Sequence, residues 1–389
     1  MELAAAPSSP SLVRAREEAR SVVPVELFFD LVYVFTVSQL SRNLLDDVGP
    51  RGIAQTLVLA LAVMYAWFMT VWTSNWLDVE RRKVQLLLLG LMFASLLMST
   101  SVAEAFGDRA GLFVIGYFAI QVGRTLFAVS AFRGHRLHAH FVNALVWELG
   151  TAVLWIAGIF ADGDARLAIW AVAVLATYGG VIAGHPLPNR RSPFSTDSQI
   201  YAAHLLERFR LFFLIALGET VLTIGNAFAS VPLDGETVVA LGAAFLGTVS
   251  LWWCYFHRAE RVGIDALAGD GDPSRLVAVG NYTLIAMVIG IVAIAVGDEL
   301  AIADPSGNPS AAAVALIFGG PAIFLLAQLV FIRHASGRAP GARVAGCLAL
   351  AALALLTSPF DALLAVIASS AVLFAVAVAD TLAEPRASG

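Results

Sequence analysis

Long apolar segments follow one another along most of the chain, separated by short polar linkers. A helix needs about 20 largely apolar residues to cross the hydrocarbon core of a bilayer. This pattern predicts an all-α, polytopic integral membrane protein with about 12 transmembrane helices, although the eleventh segment is short. The twelve segments lie at 25–45, 52–75, 84–103, 110–132, 141–160, 166–184, 200–229, 237–257, 276–297, 311–332, 343–357 and 361–380, with Pro359 predicted to form a tight hairpin between the last two.

Composition agrees with a lipid environment. Of the 389 residues, 59% are hydrophobic and only 14% are charged, with a mean hydropathy of +0.80. Such a chain would leave large apolar patches exposed in water, so the lipid bilayer is its predicted partner. The net charge of −5 gives no reason to expect a nucleic acid as a partner. Two cysteines in apolar segments suggest neither disulfides nor a metal motif, and we predict no cofactor.

The distribution of basic residues predicts the orientation. If the N-terminus is cytoplasmic, 17 arginines and lysines fall on the inner side and only Arg51, Arg109 and Arg166 fall in outer loops. Cytoplasmic loops carry such an excess. The chain is therefore expected to have both termini in the cytoplasm, as an N-terminal tail over 1–24 and a C-terminal tail over 381–389.

A weak internal repeat divides the predicted helices. Glu26-x-Phe28 and Glu207-x-Phe209 are 181 residues apart, and Glu80-Arg81 and Glu260-Arg261 are 180 apart. Two parallel six-helix halves, 25–184 and 200–380, joined by a cytoplasmic linker over 185–199, would explain both spacings. The alternative is that Trp and Glu-Arg merely mark inner membrane interfaces in a polytopic protein.

Ionisable side chains inside apolar segments are the candidate functional residues. Glu26 precedes Asp30 by one helical turn, and Asp30 continues a stripe with Val34, Val37 and Ser41. An unpaired charge in a bilayer costs about 2.5–3.5 kcal/mol or more, so such groups form pairs or have a function. The candidates for binding a substrate or ion are Glu26, Asp30, Arg124, Glu148, Glu207, Arg208, Glu219 and Asn226. The alternative for each is an ion pair that fixes helix packing.

Histidines allow a different interpretation. His135, His138 and His140 have a spacing that could offer imidazoles to a metal in an intramembrane hydrolase. No companion acid motif accompanies them, and the sequence has no HExxH, GxSxG or Gly-rich phosphate loop. We therefore predict no metal site and no catalytic residues.

Two segments resemble the markers of a known family. Glu26-Leu27-Phe28-Phe29-Asp30-Leu31-Val32-Tyr33-Val34-Phe35 with Ser38-Gln39-Leu40 resembles the opening signature of the bacterial low temperature requirement A family. His204-Leu205-Leu206-Glu207-Arg208-Phe209, followed by Leu217-Gly218-Glu219-Thr220, is similar to that family's other marker. The resemblance covers roughly 20–385 and implies an integral membrane protein of the bacterial cytoplasmic (inner) membrane. It implies no settled activity.

Three functions are compatible with these features. A secondary transporter or permease, with buried carboxylates that couple to protons or ions, fits the helix number and the mid-depth charges. An intramembrane enzyme acting on a lipid-like substrate is the first alternative, and a structural or sensory membrane protein is the second.

Overall fold

A computed structural model describes residues 12–14, 21–188, 202–269, 272–356 and 361–382. Most of the two predicted tails, most of the 185–199 linker and the predicted hairpin turn at Pro359 lie outside the described residues. Within those residues the secondary structure is helical, without a β-strand, as predicted.

Thirteen α-helices occur in the described ranges, and their bounds are within a few residues of most predicted segments. They are α1 (Pro24–Asp46), α2 (Pro50–Ser74), α3 (Arg82–Ser99), α4 (Ala110–Ala131), α5 (His138–Ile159), α6 (Gly163–Ile182), α7 (Ala202–Ser230), α8 (Gly235–Cys254), α9 (Glu260–Ala268), α10 (Pro273–Ala303), α11 (Ala311–Ser336), α12 (Gly341–Leu356) and α13 (Ala362–Leu382).

Ten helical segments of the described chain are long and apolar enough to cross a membrane. Two predicted spans fall outside this number. Helix α1 carries several charged residues, and α12 is a shorter apolar helix of 16 residues. Large apolar side chains such as Phe93, Ile115 and Leu175 are 63%, 66% and 71% exposed, which indicates that these faces contact lipid.

The sequence prediction missed the helical extension after α8. The backbone of Tyr255–Ala259 forms a π-helix, and α9 continues from it to Ala268. The predicted span ended at 257, because the residues beyond it are polar and the hydropathy pattern ends there. A π-helical turn contains one residue more than an α-helical turn and often occurs at functional sites.

Local capping groups determine where α8 begins and where α11 begins and ends. The Asp234 carboxylate accepts a hydrogen bond from the Thr237 N–H at 2.8 Å, and the Asp234 N–H donates to the Thr237 hydroxyl at 3.2 Å. This capping box begins α8, and the backbone N–H of Thr237 is the main reason that the pKa of Asp234 is lowered. Ser310 caps α11 by accepting from the Ala313 N–H, and Gly337, with φ of 71°, ends the same helix.

The chain forms two compact units. Unit 1 comprises Met1–Tyr33 and Leu61–Leu205, and unit 2 comprises Val34–Ala60 and Leu206–Gly389. In unit 1, α3 packs against α4, α4 against α5, and α5 against α6. In unit 2, α10 packs against α11, α8 against α13, and α11 against α12.

Glycines allow α10 and α11 to approach closely. A Cβ atom on Gly290 would lie 2.9 Å from the carbonyl oxygen of Gly320, and one on Gly320 would lie 2.9 Å from the backbone nitrogen of Ile294. These distances are shorter than real Cβ atoms tolerate, so both positions require glycine at this separation of the helices. Small residues commonly permit such packing in membrane proteins.

Candidate functional site

The structure buries six of the eight predicted site residues. In unit 1, Glu26, Asp30, Arg124 and Glu148 are at most 4% exposed. In unit 2, Arg208 and Glu219 are 1% and 4% exposed. The stripe predicted on α1 is also buried, since Val34, Val37 and Ser41 are 7%, 1% and 3% exposed.

Glu207 and Asn226 do not share this burial. Glu207 is half-buried, and its predicted neighbour Arg210 forms an ion pair with Glu260 at 2.7 Å. Asn226 is exposed, although it lies on the same helical stripe as Glu219. The reason is that much of the last two turns of α7 is exposed, so a position on the stripe no longer faces other helices there.

Arg124 and Glu148 form the central ion pair of unit 1. Arg124 Nη2 donates to Glu148 Oε1 at 2.6 Å, and the Thr125 hydroxyl donates to the same oxygen at 2.9 Å. Arg124 Nη1 donates to Gln121 Oε1 at 2.6 Å. Gln121, Arg124 and Thr125 occupy one face of α4 because they are three and four residues apart. In the described ranges, Arg124 Nε and Glu148 Oε2 have no hydrogen-bond partner.

Asp30 is fully buried against an indole. Trp67 Nε1 donates to Asp30 Oδ1 at 2.8 Å. The indole N–H can only donate, so this contact favours a hydrogen-bond acceptor at position 30. Both Asp30 and Arg124 lie near enough to Tyr33 to act on its hydroxyl electrostatically. Asp30 and Arg124 therefore act on the same buried hydroxyl group.

His204 is a site residue that the sequence analysis missed. Its Nε2 lies 3.2 Å from Glu26 Oε2, and its Nδ1 lies 3.1 Å from Asn75 Oδ1. Both oxygens can accept, so His204 donates to Glu26 or to Asn75 according to which ring nitrogen carries the proton. The position of His204 in the second marker segment, three residues before Glu207, was the signal that could have singled it out.

Glu219 in unit 2 is bound by hydroxyl groups. The Ser38 hydroxyl donates to Glu219 Oε2, and the Thr223 hydroxyl donates to Oε1 at 3.0 Å. In the described part of the chain, Glu219 forms no ion pair with a basic side chain. Arg42 and Glu299 are close enough to interact with it only through longer-range electrostatics.

A second buried charge network in unit 2 was also missed. Arg343 is fully buried and donates to Asp380 Oδ2 at 2.6 Å, to Gln328 Oε1 at 2.9 Å and to the Cys254 carbonyl at 2.9 Å. Arg258 donates to the other oxygen of Asp380 at 2.8 Å. Arg343 begins α12 and Asp380 lies near the end of α13. The ends of a helical hairpin lie on one side, so an opposite-charge pair was predictable from the two segments.

The three clustered histidines, His135, His138 and His140, have separate contacts. His138 Nδ1 contacts the Val129 carbonyl at 3.0 Å, and His135 Nδ1 accepts from the Leu137 N–H at 3.2 Å. His140 packs edge-on against Trp72. No group of three metal-ligating side chains occurs in the ranges that the structure describes. The described contacts of these rings are with backbone atoms and with an aromatic side chain.

His185 lies beside the Glu148 region in a conformation that few residues adopt. Among described non-glycine residues it alone has positive φ, at 53°. Its ring is 2% exposed and packs edge-on against His140, with 5.6 Å between ring centroids. Burial, and secondarily the charge of Arg124, lower the pKa of His185 to about 4. The ring is therefore neutral at pH 7.

This pKa predicts a loss of stability in acid. Between pH 6.5 and 4 the unfolded chain binds a proton at His185 that the folded chain does not, so unfolding becomes easier as the pH falls. At pH 5 we expect His185 to contribute about 2 kcal/mol of destabilisation relative to pH 7. Thermal unfolding of detergent-purified protein at both values measures it. His185→Asn, which tolerates positive φ, should reduce the difference, whereas the half-buried control His138→Gln should not; equal slopes in both variants would contradict the assignment.

Comparison with known proteins identifies the family of this chain. The family model described as bacterial low temperature requirement A protein (LtrA) matches residues 21–378. The chain belongs to the LtrA family. It is 34% identical over 339 residues to an uncharacterized protein of Rhizobium meliloti (strain 1021), covering 86% of this chain and 81% of that protein. No solved structure matches it.

The two marker segments of this LtrA protein contact each other twice. In unit 1, Glu26 of the first segment meets His204 of the second. In unit 2, Ser38 of the first segment meets Glu219 of the second. The residues that make the family recognisable are therefore also those that hold α1 and α7 together through polar side chains. Polar contacts between helices in a lipid environment satisfy groups that hydrocarbon cannot.

Proposed function

We propose that this LtrA protein is a secondary transporter of the bacterial inner membrane that couples solute movement to protons through Glu219. It would cross the membrane twelve times, with α1 and α12 added to the ten apolar segments and both termini in the cytoplasm. An intramembrane ionisable group is expensive to bury and usually belongs to an ion or substrate path. Burial of six predicted site residues supports this interpretation.

One contact supports the proposed parallel repeat of 25–184 and 200–380. Glu219 lies 181 residues after Ser38, the same spacing as between Glu26 and Glu207, and residues at equivalent positions near a pseudo-twofold axis are expected to meet. Transporter repeats of this kind have their sites at the interface between halves.

The hydroxyl partners of Glu219 are the observation that carries the proposal. A hydroxyl group can donate a hydrogen bond to a carboxylate or accept one from a carboxylic acid. Ser38 and Thr223 can therefore satisfy Glu219 both when it is charged and when it is protonated. A coupling residue needs such an environment, because it gains and loses a proton during each cycle.

The other buried acids have different partners. Glu148 accepts from the guanidinium of Arg124, and Asp30 accepts from the indole N–H of Trp67. A guanidinium and an indole N–H can only donate hydrogen bonds. Both therefore favour a carboxylate that stays ionised over one that gains a proton. We assign Asp30 and Glu148 to substrate or ion binding, and Glu219 to proton coupling.

Vesicles that contain the purified protein and a trapped pH-sensitive dye test the proposal. A potassium gradient with valinomycin sets an inside-negative potential, and defined solutes are added outside: ammonium chloride, an amino-acid mixture, a sugar mixture and choline. Solute-dependent acidification that is absent from protein-free vesicles is the expected result. If none of these solutes moves protons through the wild-type protein, the proposed function is wrong.

A further inference from the structure

A small cavity lies in unit 1 among α2, α4, α5 and α6. It has about 10 Å³ of space for the centre of a water-sized molecule, which is enough for about one such molecule. Its polar lining comprises Gln121, Glu148, Thr151, Thr177 and His185. The remaining lining is aromatic.

The polar lining offers hydrogen-bond acceptors. Glu148 is 4% exposed, and its Oε2 has no donor in the described part of the chain. The hydroxyl protons of Thr151 and Thr177 go to the carbonyls of Glu148 and Ala173, so both oxygens present only lone pairs to the cavity. A ligand that satisfies this site must therefore supply several donors.

The amide of Gln121 does not change this excess of acceptors over donors, because both of its ends already have partners. Its oxygen accepts from Arg124, and its nitrogen donates to the Tyr117 hydroxyl at 3.2 Å. His185 Nδ1, which lacks a partner among the described residues, belongs to a ring that is neutral at pH 7. Positive φ at this histidine holds it beside the cavity at an energetic cost, and such strain clusters at functional sites.

Aromatic rings form the other walls. Tyr65, Tyr117, Phe118 and Trp147 line the cavity. The face of an aromatic ring attracts a cation, most strongly in a site shielded from water. The site therefore combines an unsatisfied carboxylate oxygen, hydroxyl acceptors and aromatic faces around a volume the size of one water molecule.

We propose that this cavity binds an ammonium ion, with Glu148 Oε2, Thr151 and Thr177 as its acceptors. Ammonium is about the size of a water molecule and has four N–H donors, whereas water has two donors and a sodium ion has none. The charge of Arg124 beside Glu148 opposes a second cation, so binding should be weak, in the millimolar range. This inference rests on the proposed function only in naming ammonium as a transported substrate.

Ligand-dependent thermal stability of the detergent-purified protein tests the site without a transport assay. Ammonium chloride, sodium chloride and tetramethylammonium chloride are titrated at pH 7 and constant ionic strength. We expect a saturating rise of the unfolding temperature with ammonium alone, because a ligand that binds only the folded state stabilises it. Tetramethylammonium has no N–H donor and is too large for the cavity.

Matched threonine variants locate the effect. Thr177→Val removes one acceptor and should raise the ammonium concentration at half-saturation about tenfold. Thr283→Val is the control, because Thr283 is a buried threonine of unit 2 whose hydroxyl bonds only to its own helix, and it should leave the half-saturation unchanged.

Three outcomes would overturn the site: equal stabilisation by sodium, no stabilisation by ammonium, or the same shift in both variants. Each leaves the proposed function standing if another solute still moves protons. Conversely, saturable ammonium binding without any proton movement in vesicles would retain the site and reject the transporter.

Discussion

Asp380→Asn should lower the free energy of unfolding by about 3–5 kcal/mol, the cost of leaving a buried charge without its partner. Arg343 is fully buried and uses Asp380 as its acidic counter-charge, while Arg258 shares the second carboxylate oxygen. Asparagine keeps one acceptor oxygen but turns an N–H₂ group toward a guanidinium. Thermal unfolding in detergent, monitored by intrinsic fluorescence, should show a midpoint several degrees below that of the wild type.

Two further variants make this prediction specific. Asp304→Asn changes an exposed acid at the end of α10 and should leave the midpoint nearly unchanged. The double variant Arg343→Met, Asp380→Leu removes both buried charges and should recover most of the lost stability, since Arg258 is 32% exposed and can reach solvent. Equal midpoints for Asp380→Asn and Asp304→Asn would show that the network contributes little.

Glu219→Gln should abolish solute-driven proton movement in dye-loaded vesicles, a loss of about 100-fold or more. The glutamine side chain can accept from one hydroxyl and donate to the other, so Ser38 and Thr223 keep their partners and the fold should be preserved. What disappears is the ability to bind and release a proton. The measurement is the initial rate of dye quenching after addition of the active solute.

The control for this experiment is Glu236→Gln, which makes the same chemical change at an exposed position in the first turn of α8. It should retain the wild-type rate, and the unfolding midpoints of both variants should match that of the wild type. Proton movement that persists in a folded Glu219→Gln protein would remove Glu219 from the coupling role.

Much of the fold follows from hydropathy alone. Helix bounds were predictable because apolar stretches and their polar linkers alternate sharply, and burial of Asp30 and Glu148 followed from the cost of charge in lipid. The helical continuation to Ala268 was not predictable, because α9 is short and amphipathic and therefore lacks the long apolar run by which a membrane span is recognised.

The hydrogen-bond and ion-pair partners of the buried polar side chains were harder to predict from the sequence. Arg343 is not among the predicted site residues, because a hydropathy pattern does not distinguish an arginine at a helix end that reaches the membrane surface from one that is fully buried. His204 was overlooked for a similar reason, as its contact with Glu26 joins residues 178 positions apart. Pairings of this kind depend on how helices pack, which one sequence without structural context does not specify.

The π-helical turn at Tyr255–Ala259 determines the direction in which charged side chains on this helix point. One additional residue in a helix rotates everything beyond it by about 100°. Arg258 lies inside this turn and Glu260 directly follows it, and these residues pair with Asp380 and Arg210. The π turn takes up its additional residue without this rotation, so a return to α-helical geometry at unchanged chain length would turn Glu260 and the residues after it away from partners such as Arg210.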